Sequence, residues 1–348
     1  MTGRELLCAP KQKESTMTGK LIVFPEKGKF AIDEVTYADV PTGANVLIRN
    51  RCSLISAGTE LSFYTGTNRS IPVPEAKWAK YPFRPGYSAV GEVLAVGPDV
   101  RDLKPGQIIF HAGKHGTIVQ IDDWGWRFPL PDGMNEEAAT FAYLAEVAMT
   151  SVCLAPPRFG ENVVVVGMGV VGLLAARLYK LAGARVVAGA DLSERRLAMA
   201  KKCGAIDVAF PVRDRSLADW TKELGPRGAE TVVEAVGATP SIVSALQAVA
   251  RRGRVVLLGS PRVPMEFDPY RDIHARGIQL IGAHGGVPDE ATRKRDRPFL
   301  IELLASGRLP VRELITHRMD YASAQAGYEG LVKQTDDYVG VVLTYPKG

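Results

Sequence analysis

Residues 162–172 read Asn-Val-Val-Val-Val-Gly-Met-Gly-Val-Val-Gly, four valines followed by three glycines in GxGxxG spacing. The valines predict a buried β-strand, and the apolar residues of 170–182 predict a helix. Gly167, Gly169 and Gly172 allow a tight turn between the two and a close approach of the backbone to a pyrophosphate. The helix N-terminus then offers free N–H groups to the phosphates. The stretch therefore predicts a dinucleotide-binding loop.

The chain on either side of this loop alternates between strand and helix patterns. Further apolar runs predict strands at 185–190, 206–210, 231–236, 254–258 and 278–282, and helix-period segments lie at 193–203, 217–224 and 240–250. Near-continuous Val, Leu and Ile runs joined by helices indicate a parallel sheet that is buried on both faces. We therefore predict an α/β fold with a doubly wound, six-stranded parallel Rossmann domain.

Asp191 is the residue expected to determine whether the protein prefers NAD or NADP. It lies 24 residues after Gly167, at the end of the second predicted strand. A carboxylate there accepts hydrogen bonds from the adenosine ribose hydroxyls and repels a 2′-phosphate, which favours NAD over NADP. Two alternatives stay open. Asp191 could cap the helix that begins near Ser193, and the guanidinium groups of Arg195 and Arg196 could hold a 2′-phosphate.

The chain before residue 155 has a different pattern. Short β-type runs alternate with Gly/Pro turns, at 20–24, 45–53, 89–96, 107–110 and 117–121, and a helix is predicted over 136–154. The last residues add a helix at 299–305 and a strand at 339–344. We expect a β-rich domain formed by 1–155 together with 300–348, and a nucleotide domain formed by 156–299.

The composition, charge and cysteine content indicate which class of protein to expect. The 348 residues carry a net charge of +5 and are 46% hydrophobic, as expected of a globular chain. The basic run at 293–295 is interpreted as a solvated loop, so no nucleic-acid partner is expected. No apolar stretch is long enough to span a membrane, and residues 1–20 lack the apolar core of a signal peptide. Four scattered cysteines (Cys8, Cys52, Cys153 and Cys203) indicate a reducing compartment, so a cytoplasmic location is expected.

Several short motifs resemble those of the medium-chain dehydrogenase/reductase superfamily, from about Lys20 to Pro346. They are Pro85-Gly86-Tyr87, Lys104-Pro105-Gly106-Gln107, Leu130-Pro131-Asp132-Gly133, Val233-Glu234-Ala235-Val236-Gly237 and Gly253-Arg254-Val255-Val256. The resemblance implies a GroES-like catalytic domain beside the Rossmann domain. It also implies an NAD(H)- or NADP(H)-dependent oxidoreductase, and a homodimer that pairs the strand at 278–282.

The chain departs from the zinc-dependent members at their ligand positions. They carry Cys-Gly-Thr-Asp where this chain has Ala57-Gly58-Thr59-Glu60, and Gly-His-Glu where it has Gly86-Tyr87-Ser88. The third ligand position falls near Glu146. Catalytic zinc needs three protein ligands, so we expect no zinc. The motifs are similar to a zinc-independent branch that includes bacteriochlorophyllide hydroxyethyl dehydrogenase and acts on bulky secondary alcohols.

The resemblance also brings a set of polar residues to the expected cleft: Thr59, Glu60, Tyr64, Tyr87, His115 and Glu146. Our hypothesis is that Tyr87 and Glu146 face the reacting oxygen while Thr59 and His115 carry the proton outward. The alternatives left open are a buried ion pair for Glu60, a packed ring for Tyr87 and a surface position for His115. For the cofactor, the resemblance implies contacts from Thr150, Gly167, Met168, Gly169, Val170, Val171, Gly172, Asp191, Arg196, Val236, Gly259, Ser260, Pro261, Ala283 and His284. His284 could equally cap a turn.

The sequence thus predicts a zinc-independent, NAD-dependent oxidoreductase. It would move a hydride between the nicotinamide and a bulky secondary alcohol or ketone, such as a sugar-like molecule, a cyclitol or another biosynthetic intermediate. Segments 65–78 and 287–297 are expected to line the substrate pocket, and their composition indicates a polar or anionic small molecule. The alternatives are an NADPH-dependent quinone or enoyl reductase and a dinucleotide-binding protein without catalysis.

Overall fold

The computed structural model describes residues 15–122 and 126–346. Cys8 and most of the segment used to look for a signal peptide therefore lie outside the described residues. The described part before residue 156 forms the elements β1 (Thr16–Val23), β2 (Ala31–Ala38), β3 (Val46–Leu54), α1 (Thr59–Tyr64), β4 (Ala89–Val96), β5 (Ile108–His111), β6 (Ile118–Ile121), β7 (Arg127–Pro129), α2 (Glu136–Ala139) and α3 (Ala142–Leu154).

The middle of the chain forms the predicted parallel sheet. Its elements are β8 (Asn162–Val166), α4 (Val170–Leu181), β9 (Val186–Asp191), α5 (Glu194–Lys202), β10 (Val208–Pro211), α6 (Leu217–Trp220), β11 (Ala229–Glu234), α7 (Thr239–Ala248), β12 (Val249–Leu257), α8 (Pro269–Asp272) and β13 (Gln279–Gly282), with 3-10 turns at Thr221–Leu224 and His274–Arg276. The strand order is β10-β9-β8-β11-β12-β13, and every neighbouring pair is parallel. This is the strand order of a Rossmann domain, so the predicted fold class is confirmed.

The end of the chain returns to the first sheet. It contains α9 (Glu290–Ala305), β14 (Ile315–Asp320), α10 (Ala324–Lys333) and β15 (Gly340–Thr344), with 3-10 turns at Arg312–Leu314 and Tyr321–Ser323. β15 pairs antiparallel with β3 and parallel with β14. The resulting sheet has the order β14-β15-β3-β4-β5-β7, with β6 on β3. The residues after 314 therefore belong to the mostly antiparallel unit.

Two sequence predictions about helices are wrong. The helix expected at 299–305 begins at Glu290, because the Asp289 side chain accepts a hydrogen bond from the Thr292 amide (2.8 Å) and caps a longer helix that contains Pro298. The basic run at 293–295 is thus part of α9 rather than a loop. The helix expected over 136–154 is divided into α2 and α3.

The two units meet where α3 packs against α4. Ala145 and Ala148 of α3 and Leu173 and Ala176 of α4 are fully buried in one apolar cluster. These small and medium side chains let the two helices approach closely. The loops at the carboxyl ends of the parallel strands consequently face the antiparallel unit. Among the described residues, no helix has both the length and the apolar character that crossing a membrane would need.

Candidate active site

The loop after β8 has the geometry that the glycine motif predicts. Gly167 has a φ of +95°, a conformation that L side chains rarely adopt. A Cβ atom at Gly172 would lie 1.8 Å from the Gly167 carbonyl oxygen, so no side chain fits there. Gly169 precedes the first turn of α4 without a side-chain cap. The free N–H groups of α4, including those of Val170 and Val171, can therefore bind a phosphate.

Asp191 ties this loop to the end of β9. Its Oδ2 accepts a hydrogen bond from the Met168 amide at 2.6 Å, and its Oδ1 accepts one from the Ser193 amide at 2.8 Å. The N-cap of α5 is Ser193, whose hydroxyl accepts from the Arg196 amide. The alternative that Asp191 caps this helix is therefore wrong. The carboxylate lies at the expected edge of the nucleotide site.

Arg196 lies between the glycine loop and the antiparallel unit. Its Nε donates to the Thr335 carbonyl at 2.7 Å, and its Nη2 donates to the Tyr338 carbonyl at 3.2 Å. Its Nη1 would lie 4.0 Å from a Cβ atom at Gly169. One guanidinium thus joins the two units beside the place where a phosphate would bind.

Glu234, which the sequence reasoning missed, shapes the next part of the cleft. This fully buried carboxylate accepts hydrogen bonds from the amides of Val236 and Gly237, each at 2.9 Å, and from the Ser241 hydroxyl at 2.7 Å. The sequence did contain a signal for this role of Glu234. An acidic residue at the end of an apolar strand needs hydrogen-bond donors when it is buried. It holds the loop that carries Val236.

The remaining predicted cofactor residues lie on the loops at the same edge. A Cβ atom at Gly259 would meet the Gly237 amide nitrogen at 2.3 Å, so the segment with Ser260 and Pro261 lies against the β11 loop. The His284 Nδ1 accepts a hydrogen bond from the Gly286 amide, which is the turn-capping alternative. The preceding Ala283 is buried. The Thr150 hydroxyl donates to the Glu146 carbonyl within α3.

Tyr87 and the segment before α1 meet on the antiparallel side of the cleft. The Tyr87 hydroxyl donates to Ser56 Oγ, and it also hydrogen-bonds the Thr59 side chain. Burial and the nearby Glu60 carboxylate raise the pKa of Tyr87 well above its usual value. Near neutral pH this phenol therefore keeps its proton and acts as a hydrogen-bond donor.

Glu60 and His115 form a buried polar network. Glu60 Oε2 accepts from the Tyr328 hydroxyl at 2.7 Å and lies 3.0 Å from His115 Nε2. On its other side, His115 Nδ1 is 2.7 Å from Ser53 Oγ, which is 2.7 Å from the Tyr345 hydroxyl. His115 is fully buried, so the surface alternative is wrong. The sequence did not identify the three hydroxyl groups of this network, which belong to Ser53, Tyr328 and Tyr345.

The Glu146 carboxylate faces α9. Its Oε1 accepts from Arg297 Nε at 2.8 Å, and its Oε2 lies 3.6 Å from Arg293 Nη1. Two guanidinium groups thus pair with this one nearly buried carboxylate. Tyr143, whose ring lies 4.7 Å from that of Tyr87, separates this cluster from the Tyr87 hydroxyl.

Tyr64 lies in an aromatic cluster instead of at the cleft. Its ring packs edge-on against Phe24 at 5.2 Å and stacks on Tyr328 at 5.7 Å. Burial and the Glu329 charge raise the pKa of its hydroxyl, which places that hydroxyl near α10. The structure therefore gives Tyr64 a packing role and does not bring its hydroxyl to Tyr87.

Comparisons with known proteins agree with this architecture. Residues 170–304 match the family model described as zinc-binding dehydrogenase. The L-threonine 3-dehydrogenase of Bacillus licheniformis is 28% identical over 82% of this chain and 87% of its own length. The chain is thus similar to zinc-type alcohol dehydrogenases, and these matches support an oxidoreductase.

Solved structures of the same fold extend over nearly the whole chain. An oxidoreductase/dehydrogenase of unknown specificity from Escherichia coli has a TM-score of 0.82 at 23% identity, and the match covers 95% of this chain and 100% of that one. A short chain alcohol dehydrogenase from E. coli CFT073, solved with NADH, has a TM-score of 0.79 at 19% identity and covers 94% and 99% of the two chains.

The matched family model implies a zinc ion, and the donor set of this chain does not fit one. Zinc binds thiolate, imidazole or carboxylate ligands. Ala57 offers no donor atom, Tyr87 is a protonated phenol, and Glu146 is held by two arginines. Within the described ranges, no three His, Cys, Asp or Glu side chains converge on a common point.

His111, another histidine near this region, has a hydrogen-bond partner at each ring nitrogen. His111 Nε2 lies 2.8 Å from Asn50 Oδ1, and its Nδ1 accepts from the Gly113 amide at 3.1 Å. It is fully buried, and burial lowers its pKa to about 3. His111 and His115 therefore belong to separate hydrogen-bond networks.

Proposed function

We propose that this protein is an NAD-dependent oxidoreductase that transfers a hydride between the nicotinamide and a bulky secondary alcohol or ketone without a zinc ion. The observation that carries this proposal is the Tyr87 hydroxyl, bonded to Ser56 and Thr59 at the position of a zinc-binding imidazole in zinc-dependent relatives. A protonated phenol there can hold the substrate oxygen.

The cofactor choice is supported by the opposite side of the cleft. The uncapped start of α4 supports a pyrophosphate site there, and the bond from the Met168 amide to Asp191 supports a role for this carboxylate beside it, at the adenosine ribose. A carboxylate at this position favours NAD. Bound NAD supplies the hydride acceptor. The solved neighbour that contains NADH has the same fold.

The substrate oxygen needs a hydrogen-bond donor and a route for its proton. In ketone reduction, the Tyr87 hydroxyl turns its single proton from Ser56 Oγ to the carbonyl oxygen, where it stabilises the negative charge that develops. The Ser56 and Thr59 hydroxyls then donate to the phenol oxygen, and Thr59 connects it to solvent because its side chain is exposed. Burial and the Glu60 carboxylate keep Tyr87 protonated, and His115 and Tyr328 hold Glu60 in place.

We also propose that the protein is a homodimer that pairs through β13. This strand is the edge of the parallel sheet, and its Leu280 side chain is 38% exposed. An edge strand with exposed apolar residues is a natural surface for pairing with a second copy.

A second candidate function is an NADPH-dependent quinone or enoyl reductase. The Arg196 guanidinium beside Gly169 favours it, because a guanidinium binds phosphate well. Reduction of an activated double bond needs no strong base.

Nucleotide binding and turnover together test the proposal. The fluorescence of NADH and NADPH on titration with the protein should show tighter binding of NADH. A screen of secondary polyols and cyclitols with NAD should then yield absorbance of NADH. Tighter NADPH binding together with turnover of quinones would instead establish the second candidate, and nucleotide binding with no turnover would leave a non-catalytic binding protein.

A further inference from the structure

Lys114 lies in a turn that packs against the backbone beside Tyr87. A Cβ atom at Gly86 would lie 2.8 Å from the Lys114 Cα, so the two backbones are in close contact next to Tyr87. The Asn50 amide donates to the Lys114 carbonyl and fixes this turn. The Lys114 side chain is exposed, and its Nζ lies 5.9 Å from the centre of the Phe83 ring. The ammonium group is thus positioned over Phe83, and it interacts electrostatically with the buried Glu60 carboxylate.

Arg262 reaches the same place from the nucleotide domain. It follows the segment 259–261, and its Nη2 donates to the Gly58 carbonyl at 2.9 Å. Gly58 lies between Ser56, the partner of Tyr87, and Glu60, the partner of His115. The half-buried guanidinium also interacts with Tyr87 electrostatically. One cation from each unit therefore lies near the Tyr87 and Glu60 side chains, since Lys114 interacts electrostatically with Glu60 and Arg262 with Tyr87.

These two cations differ from the other basic groups of the cleft. Arg293 and Arg297 share the Glu146 carboxylate, whereas neither Lys114 nor Arg262 has an ion-pair partner among the residues that the structure describes. The opposing charge is Glu60, which is buried behind its bonds to His115 and Tyr328. Desolvation lowers the pKa of the half-buried Arg262, so this guanidinium would gain from a bound anion.

We propose that Lys114 and Arg262 bind an anionic group of the substrate, a carboxylate or a phosphate, while its reacting oxygen lies at Tyr87. The guanidinium offers a planar fork that matches either anion, and the ammonium adds a mobile point charge. The inference rests on the proposed function, because it names the substrate class of that site as a hydroxy acid or an alcohol phosphate.

Calorimetric titration of the NADH-bound protein tests this without requiring turnover. The probes are two matched pairs: gluconate against sorbitol, and glycerol 3-phosphate against glycerol. We expect the anion of at least one pair to bind about tenfold or more tightly than its neutral partner, equivalent to about 1.4 kcal/mol. The pair that shows the preference identifies the carboxylate or the phosphate as the recognised group.

Substitution then assigns the preference to the two residues. Lys114→Gln and Arg262→Gln should each lower the anion preference at least threefold, and the double variant should abolish it. The exposed Lys104→Gln and Arg251→Gln are matched controls that should keep it. Equal binding within both pairs, or a preference that survives the double variant, overturns the inference. Failure of the proposed function is a separate result, seen as anion binding without any change in NADH absorbance.

Discussion

Glu60 Oε2 lies 3.0 Å from His115 Nε2, and both side chains are almost completely buried. The carboxylate has one further partner, the Tyr328 hydroxyl, and within the described chain its Oε1 has none. A buried carboxylate with so few partners depends strongly on each of them. The contact between Glu60 and His115 should therefore contribute strongly to the free energy of unfolding.

Replacement of His115 should be strongly destabilising. His115→Ala leaves the Glu60 carboxylate with a single hydrogen bond, so the free energy of unfolding should fall by about 3 kcal/mol or more. Urea denaturation followed by circular dichroism measures this. The exposed His274→Ala is the control and should change the value by less than about 0.5 kcal/mol. Equal effects of the two substitutions would show that the contact contributes little.

Tyr87→Phe should impair catalysis while the fold persists. The phenylalanine ring fills the same space, but no hydroxyl remains to hold the substrate oxygen, so kcat should fall about 100-fold or more. The thermal midpoint and the Kd for NADH should stay near the wild-type values. Tyr270→Phe, at an exposed tyrosine, is the matched control. Unchanged turnover in Tyr87→Phe would remove Tyr87 from this role.

Two glycines of the phosphate loop should respond differently to alanine. At Gly172 a Cβ atom would lie 1.8 Å from a backbone oxygen, so Gly172→Ala should disrupt the start of α4 and lower the thermal midpoint. At Gly169 the nearest atom would be 4.0 Å away, so Gly169→Ala should fold normally. Its methyl group would nevertheless point to the phosphates and weaken NADH binding about tenfold or more. Thermal melting and fluorescence titration separate the two effects, and normal NADH binding by Gly169→Ala would place the pyrophosphate elsewhere.

The nucleotide domain could be predicted in detail because its signals are local. The valines of 163–166, the glycines that follow and Asp191 lie within one strand–helix–strand unit. Each strand between 162 and 282 was found, although β12 begins at Val249 rather than at the predicted Arg254. These strands are easy to recognise in the sequence, because strands that are buried on both faces must be continuously apolar.

The hydrogen-bond network of the cleft could not be predicted in this way. Ser53 and Tyr345 are separated by 292 residues, and Glu60 and Tyr328 by 268 residues. Such pairings depend on how β15 and α10 return to the first sheet, which no local pattern specifies. Helix α9 was underestimated because Pro298 and the basic run resemble a loop, whereas the Asp289 cap and the ion pairs to Glu146 stabilise a helix.

His111 should make the stability of the protein sensitive to mild acid. Its pKa is about 3 in the folded state against a usual value of 6.5, so only the unfolded chain takes up a proton between these values. Stability should therefore fall as the pH drops below 6.5, by about 1.4 kcal/mol per pH unit for this one group.

Comparison with a variant isolates this effect. From about pH 7 to about pH 5, the free energy of unfolding of the wild type should fall about 2 kcal/mol more than that of His111→Gln. Urea denaturation at the two pH values measures the difference. Parallel behaviour of the two proteins would mean that His111 titrates alike in the folded and unfolded states.

The central claim is that side chains perform the chemistry for which zinc-dependent relatives use a metal. The most direct measurement is the zinc content of the purified protein by plasma mass spectrometry, combined with its kcat before and after dialysis against a chelator. We predict far less than one zinc per chain and the same kcat after chelation. About one zinc per chain, with turnover that is lost on chelation and restored by added zinc, would contradict the account.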